Sequence, residues 1–349
     1  MAVVVVDLRW IHGHRGRRGG PGALACSWCS LEIMRWETWA VSMRFRTAPG
    51  RTHSLGNRHP ARREHLCVPV DHPAKVPGMN AIAVRGATIH YDDFGPSAGL
   101  PALLIHGHPF NRTLWAPQGR ALAEAGYRVI TPDLRGYGDS SVTRGRVLLS
   151  DFADDLAALL DHLGVERAVV GGVSMGGQIA MEFQRLHPQR VRALVLSDTS
   201  APAETDEGKE FRNRLADRLL AEGMDGYASE VIDKMLAAYN VTAMPEVADR
   251  VLGMMRATDP HGAAAALRGR AERPDYRDTL AAVRKPVLVV VGADDVYTPV
   301  AEAEAIRGLV PDATLAVIEK AGHLPGAEQP ESFNTALLDF LTARVATRD

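Results

Sequence analysis

The chain has 349 residues, 46% of them hydrophobic and 23% charged, a composition that suits one large α/β domain with additions. Its net charge of −2 hides a split: residues 1–78 carry 12 Lys and Arg against 5 Asp and Glu, whereas residues 79–349 carry 28 against 37. An acidic body lacks the concentrated basic face that nucleic acid requires, and no run approaches the roughly 18 apolar residues of a bilayer span, so neither nucleic acid nor a membrane is expected as a partner.

Residues 1–78 read as a basic, disordered N-terminal extension. They hold four of the five tryptophans and many Arg, Gly and Pro residues, without sustained helical or alternating periodicity. Val3-Val4-Val5-Val6 is interrupted by Asp7 and Arg9, so no secretory signal is assigned. An Arg-rich leader can be a transit peptide, but Glu32 and Glu37 count against that, and translation starting at Met79 accounts for the same pattern. All three cysteines, Cys26, Cys29 and Cys67, fall here, which fits a reducing cytoplasm. Cys26 and Cys29 have C-x-x-C spacing but no second ligand pair, so no metal site is assigned.

From residue 81 strands and helices follow in quick succession. Strands are predicted at 81–84 and 87–91 around a turn at Arg85-Gly86, then a buried strand at 102–105, a helix at 114–125 and a strand at 128–131. An amphipathic helix at 147–163 is stopped by Gly164. A strand at 168–170, a helix at 175–186 and a strand at 193–196 come next. The rhythm breaks between Pro202 and Pro274, where apolar residues such as Ile232, Met235, Leu236 and Tyr239 recur at helical spacing. Five of the eleven methionines lie in this stretch and are read as its core packing. Alternation resumes with strands at 287–291 and 314–318, a helix from Val300 and a last helix from about Glu331. Strands alternating with helices imply a mostly parallel sheet covered on both faces. The chain thus divides into the extension 1–78, a first core part 79–201, a helical insertion 202–275 and a second core part 276–349.

Gly172-Val173-Ser174-Met175-Gly176 matches G-x-S-x-G between a predicted strand and a predicted helix. A serine on such a sharp turn exposes its hydroxyl, and the flanking glycines remove side chains that would keep strand and helix apart. A phosphate-binding G-x-G-x-x-G is absent. The hydroxyl needs a base, and His323, in Ala321-Gly322-His323-Leu324-Pro325 just beyond the last predicted strand, is placed to reach it. The imidazole in turn needs an acid. Asp295 follows the strand 287–291 within Gly292-Ala293-Asp294-Asp295, while Asp294 beside it and Asp198 after the strand 193–196 compete for the role. An oxyanion needs donors: the N–H of Met175, next to the serine, and that of His108 in His106-Gly107-His108-Pro109 are assigned.

With these motifs and Asp133-Leu134-Arg135-Gly136-Tyr137-Gly138-Asp139-Ser140, the chain from about Met79 onward resembles the α/β-hydrolase superfamily, and within it the esterase, lactonase and 3-oxoadipate enol-lactonase-like branch. The resemblance implies an eight-stranded, mostly parallel sheet with helices on both faces and a helical cap inserted after the sixth strand. The order Ser174, Asp295, His323 is that of this fold, and the spacing Asp295-x-x-Thr298-Pro299 resembles its acid loop, which favours Asp295 over its rivals. Asp133 to Ser140 is expected to shape a loop, with Arg135 and Asp139 structural.

The expected activity is hydrolysis of a small carboxylic ester or lactone through an acyl-enzyme, with neither cofactor nor metal. Rivals on the same residues are a cofactor-free perhydrolase or haloperoxidase and a C–C bond hydrolase. A ligand-binding receptor that keeps the fold without turnover is the rival from outside enzymes.

Overall fold

The computed structural model describes residues 80–345, so the readings made for residues 1–78 lie outside the described residues. The chain enters as a hairpin of β1 (Asn80–Val84) and β2 (Ala87–Phe94). Arg85 and Gly86 take φ of 46° and 77° between them, the two positive values of a two-residue hairpin turn whose twist matches the strands. There follow β3 (Pro101–Ile105), α1 (Ala116–Glu124), β4 (Arg128–Pro132), α2 (Leu149–His162), β5 (Ala168–Val173), α3 (Met175–Leu186) and β6 (Val191–Ser197).

Only helices occupy the next stretch: α4 (Asp206–Glu222), α5 (Asp225–Met235), α6 (Ala238–Ala243), α7 (Pro245–Ala257), α8 (Pro260–Ala271) and α9 (Arg277–Ala281). Their ends follow capping chemistry. The Thr205 hydroxyl accepts from Gly208 N–H at the start of α4, and the Asp259 carboxylate from His261 and Gly262 N–H at the start of α8. Alternation then resumes with β7 (Val287–Gly292), α10 (Val300–Leu309), β8 (Ala313–Ile318), α11 (Pro325–Glu328) and α12 (Pro330–Arg344).

The eight strands form one sheet in the order β1-β2-β4-β3-β5-β6-β7-β8. The pairs of β2 with β1 and β4 are antiparallel and the other five are parallel, so the expected mostly parallel sheet is present. β5 and β7 are buried along their whole length, which is why they read as unbroken apolar runs. Alternate residues feed two cores: Leu288 and Val290 pack on one face, Val287, Val289 and Val291 on the other. Of the five methionines of the helical stretch, Met224, Met235, Met254 and Met255 are buried in the core, as expected, and Met244 is half-buried.

Two boundaries differ instructively from the sequence expectations. β5 continues through Gly171 and Gly172 to Val173, because residues without side chains carry no apolar signal yet still pair with β3 and β6. The predicted helix at 114–125 is a 3₁₀ turn, Arg112–Trp115, followed by α1, with Pro117 in its first turn. Arg135 and Asp139 hold loops, as expected. Arg135 grips Asp155 of α2 through two bonds of 2.6 Å, and Asp139 accepts from Arg112 at 2.8 Å. No helix among the described residues is long and apolar enough to cross a membrane.

Candidate active site

Ser174 sits between β5 and α3 with φ 56° and ψ −118°, a region that non-glycine residues adopt at a cost of about 1–3 kcal/mol. The strain is held from both sides: Ser174 N–H donates to Ser197 O at 2.9 Å, and the Thr199 hydroxyl donates to Ser174 O at 2.8 Å. The two glycines of the motif are required by space. A Cβ on Gly172 would lie 2.1 Å from the Gly176 oxygen, and one on Gly176 would lie 2.2 Å from the Ile105 oxygen. Since both obstacles are backbone, Gly176→Ala is expected to destabilise the chain by about 1–3 kcal/mol and to lower Tm by several degrees; an unchanged melt would contradict the close approach.

His323 follows β8 and is 4% exposed. Its Nε2 lies 2.9 Å from Ser174 Oγ and its Nδ1 lies 2.8 Å from Asp295 Oδ2. Asp295 is fixed in turn by the N–H groups of Tyr297 (2.8 Å) and Thr298 (3.1 Å) on Oδ1 and by the Thr298 hydroxyl (2.6 Å) on Oδ2. Burial opposes its charge, but the adjacent His323 and the Thr298 donors outweigh burial and hold the carboxyl below its ordinary pKa. A charged Asp295 selects the His323 tautomer with the proton on Nδ1, leaving Nε2 as the acceptor that faces the serine hydroxyl. The Tyr297 ring lies edge-on to the imidazole at 5.1 Å.

The competing carboxylates have other engagements. Asp294 accepts the Tyr239 hydroxyl at 2.6 Å. Asp198, 1% exposed, accepts Gly292 N–H at 2.9 Å and the Ser197 hydroxyl. Atoms of Asp198, Asp295 and His323 nevertheless lie within 4.8 Å of one another. Burial and the charge of Asp295 push the Asp198 carboxyl well above its ordinary pKa. A carboxyl raised on folding contributes stability that is fully present below its unfolded pKa and is lost as pH rises toward its folded one. Asp198→Asn removes that dependence. The Tm of the variant relative to wild type is expected to climb between pH 5 and pH 8, and a pH-independent difference would show that Asp198 is ionised.

Met175 N–H opens α3, among the first-turn donors that have no partner inside a helix, beside the positive end of its dipole. Gly107 packs its Cα side against Val173 O and the Ser174 side chain, which brings the β3 loop and its His108 close to Ser174. That loop is braced from beneath, where His106 Nε2 accepts Leu134 N–H at 3.0 Å while Nδ1 bonds Gly107 O at 2.9 Å. The His108 ring lines the site. It is 4% exposed, its Nδ1 lies 2.8 Å from the Tyr137 hydroxyl, and it borders a cavity of about 480 Å³ that also reaches Ser174 and His323.

The five residues expected to form the site therefore converge on one cavity or the turns beside it. The charged wall supplied by α4 and α8, with Arg212 and Arg270, was not singled out from sequence. Arginines at helical spacing look like any solvated face, and only the packing of these helices turns them inward.

Residues 101–330 match the family described as alpha/beta hydrolase fold. Among similar proteins, 3-oxoadipate enol-lactonase 2 of Acinetobacter baylyi is 28% identical over 259 residues, 74% of this chain and 94% of its own. A 2-hydroxy-6-oxononadienedioate/2-hydroxy-6-oxononatrienedioate hydrolase of Burkholderia vietnamiensis is 34% identical over 268 residues, 72% of this chain and 90% of its own. Among solved structures, a thermophilic esterase from Thermogutta terrifontis, with malate bound, shares 41% identity at a TM-score of 0.72, covering 76% of this chain and 97% of that one. With well over half of its length matched and the eight-stranded sheet in place, the chain belongs to the alpha/beta hydrolase fold family.

Proposed function

We propose that the chain hydrolyses a small carboxylic ester or lactone through an acyl-enzyme, with Ser174 as nucleophile, His323 as general base and Asp295 as the acid that orients it. The reading rests on the unbroken relay from Ser174 Oγ to His323 (2.9 Å) and from His323 to Asp295 (2.8 Å) at the wall of a cavity large enough for a small substrate. In this reading His323 takes the serine proton during attack, and the N–H groups of Met175 and His108 receive the oxyanion, each worth roughly 3 kcal/mol of barrier. His323 then returns the proton to the leaving oxygen, and water repeats the sequence on the acyl-enzyme. Helices α4 to α8 act as a cap in this scheme, since Arg212, Tyr227 and Arg270 of α4, α5 and α8 share the cavity with Ser174. The proposed chemistry is carried by side chains and N–H groups and calls on no cofactor or metal.

Steady-state turnover of p-nitrophenyl acetate and butyrate, compared with small lactones, tests the reading. A single burst without turnover would instead mark a receptor that keeps the fold. The 34% identity to a dienedioate hydrolase supports C–C hydrolysis as a second reading. Preference for a 2-hydroxy-6-oxo dienoate over every ester and lactone would favour it.

A further inference from the structure

The cavity beside Ser174 is lined by charge that the proposed acyl transfer does not use. Five Arg and Lys side chains border it against two carboxylates, Glu204 and Glu230, although residues 79–349 as a whole carry more acid than base. Three of these five cations have a carboxylate partner. Glu204 is shared by Arg212 and Arg273, and Glu230 pairs with Arg218. Arg270 is different: its Nε donates to the neutral Gln178 Oε1 at 2.8 Å, and among the described residues no carboxylate forms an ion pair with it. Burial, and after it the like charges of Arg212 and Arg273, push its pKa well down, and the more distant charge of Glu204, already bonded to those two arginines, does not offset them.

Its position ties it to the nucleophile. Gln178 lies one helical turn beyond Ser174 in α3, about 5.4 Å along the axis, and its N–H donates to Ser174 O at 3.2 Å. α8 carries Arg270 on a helix whose Ala263, Ala264, Ala265 and Ala266 are all buried, so the guanidinium is mounted on a packed element and not on a loop. A second polar atom in the same cavity is unsatisfied: His108 Nε2 is buried and has no hydrogen-bond partner. Burial and the charges of Arg270, Arg212 and His106 keep the His108 ring neutral. With the Tyr137 hydroxyl donating to Nδ1, the ring proton sits on Nε2 and is offered to the cavity.

We propose that Arg270 and His108 Nε2 form a carboxylate-binding subsite, and that the substrate is a half-ester of a short dicarboxylic acid. The identification of the reaction rests on the hydrolase reading above; the subsite itself does not. The free carboxylate supplies Arg270 with an ion-pair partner and accepts from His108, while the ester carbonyl at the other end of a short chain reaches Ser174. Hydrolysis adds one water and releases an alcohol, the dicarboxylate and a proton. A planar carboxylate suits the fork of a guanidinium, and desolvated charge-assisted bonds of this kind discriminate strongly against a neutral chain end.

The test compares monoethyl glutarate with ethyl valerate, which has the same acyl length and no charge, by titrating the proton released. Wild type is expected to show the higher kcat/KM for the half-ester, and Arg270→Gln to lower that preference by roughly 10- to 100-fold. Arg270→Lys keeps the charge but not the fork and should fall between. A wild-type enzyme that takes ethyl valerate as well as the half-ester, or an Arg270→Gln preference equal to wild type, overturns the proposal. Glutarate binding to the full chain, followed by calorimetry beside inorganic phosphate, separates the two readings. If glutarate binds and Arg270→Gln abolishes it while no ester turns over, the subsite stands and the hydrolase reading falls. Phosphate binding tighter than glutarate, or glutarate binding unaffected by Arg270→Gln, overturns the subsite even where esters are hydrolysed.

Discussion

Ser174→Ala is expected to lower ester turnover by roughly 10⁴-fold or more while leaving Tm near that of wild type. Among the described residues the side chain lost makes one hydrogen bond, to His323, whereas the strained turn is held by main-chain atoms and by Thr199, all of which remain. Groups that act as a unit lose nearly everything when one member is removed, so partial activity is not expected. A fluorophosphonate should label Ser174 alone. Its neighbours Ser197 and Ser200 provide the internal control: Ser197 donates to Asp198, and Ser200 lies within reach of Gln178, so neither is hydrogen-bonded to a histidine that could activate it. Labelling at another serine, or near-normal turnover of the variant, would end the assignment of the nucleophile.

The second large effect is expected at Asp295. Asp295→Asn preserves size but removes the charge that fixes the His323 tautomer, and kcat should fall by about 10⁴-fold. An amide in that place can donate to Nδ1, which would put the ring proton on Nε2, where the serine hydroxyl must find an acceptor. Asp198→Asn and Asp294→Asn should cost far less. The first has a carboxyl whose charge burial and Asp295 disfavour, so an amide is a close replacement, and the second lies out of phase and bonds Tyr239. Measured kcat for the three variants on one ester decides the matter. A crippled Asp198→Asn beside an active Asp295→Asn would reassign the acid and leave Ser174 and His323 standing.

Much of the architecture is legible in the chain because burial leaves periodic marks. β7 is apolar throughout because helices cover both faces of the sheet, and α2 is amphipathic because one face meets solvent. The Gly172 to Gly176 turn is legible for a different reason. Its close backbone approaches tolerate only glycine, so the steric constraint is written in residue identity. Where residues lack side chains, as in Gly171 and Gly172 at the end of β5, the same logic hides a strand that hydrogen bonding makes plain.

The choice among three carboxylates shows the limit of such reading. Asp198, Asp294 and Asp295 each stand at or just beyond the end of a strand, and local spacing favours Asp295 only by resemblance; the tertiary structure places one of them 2.8 Å from His323 and gives each of the others a different partner. The cavity is further still from the sequence. Arg212, Arg270 and Arg273 are spread over 62 positions of a helical segment, each indistinguishable there from a solvated surface charge. The sequence by itself determined the alternation of elements, the turn at Ser174 and the residue types that could act on a carbonyl, because these depend on local sterics and burial. Only the tertiary structure decided which acid meets the histidine and which cations share a cavity with Ser174, because pairing and desolvation depend on distances across elements far apart in the chain.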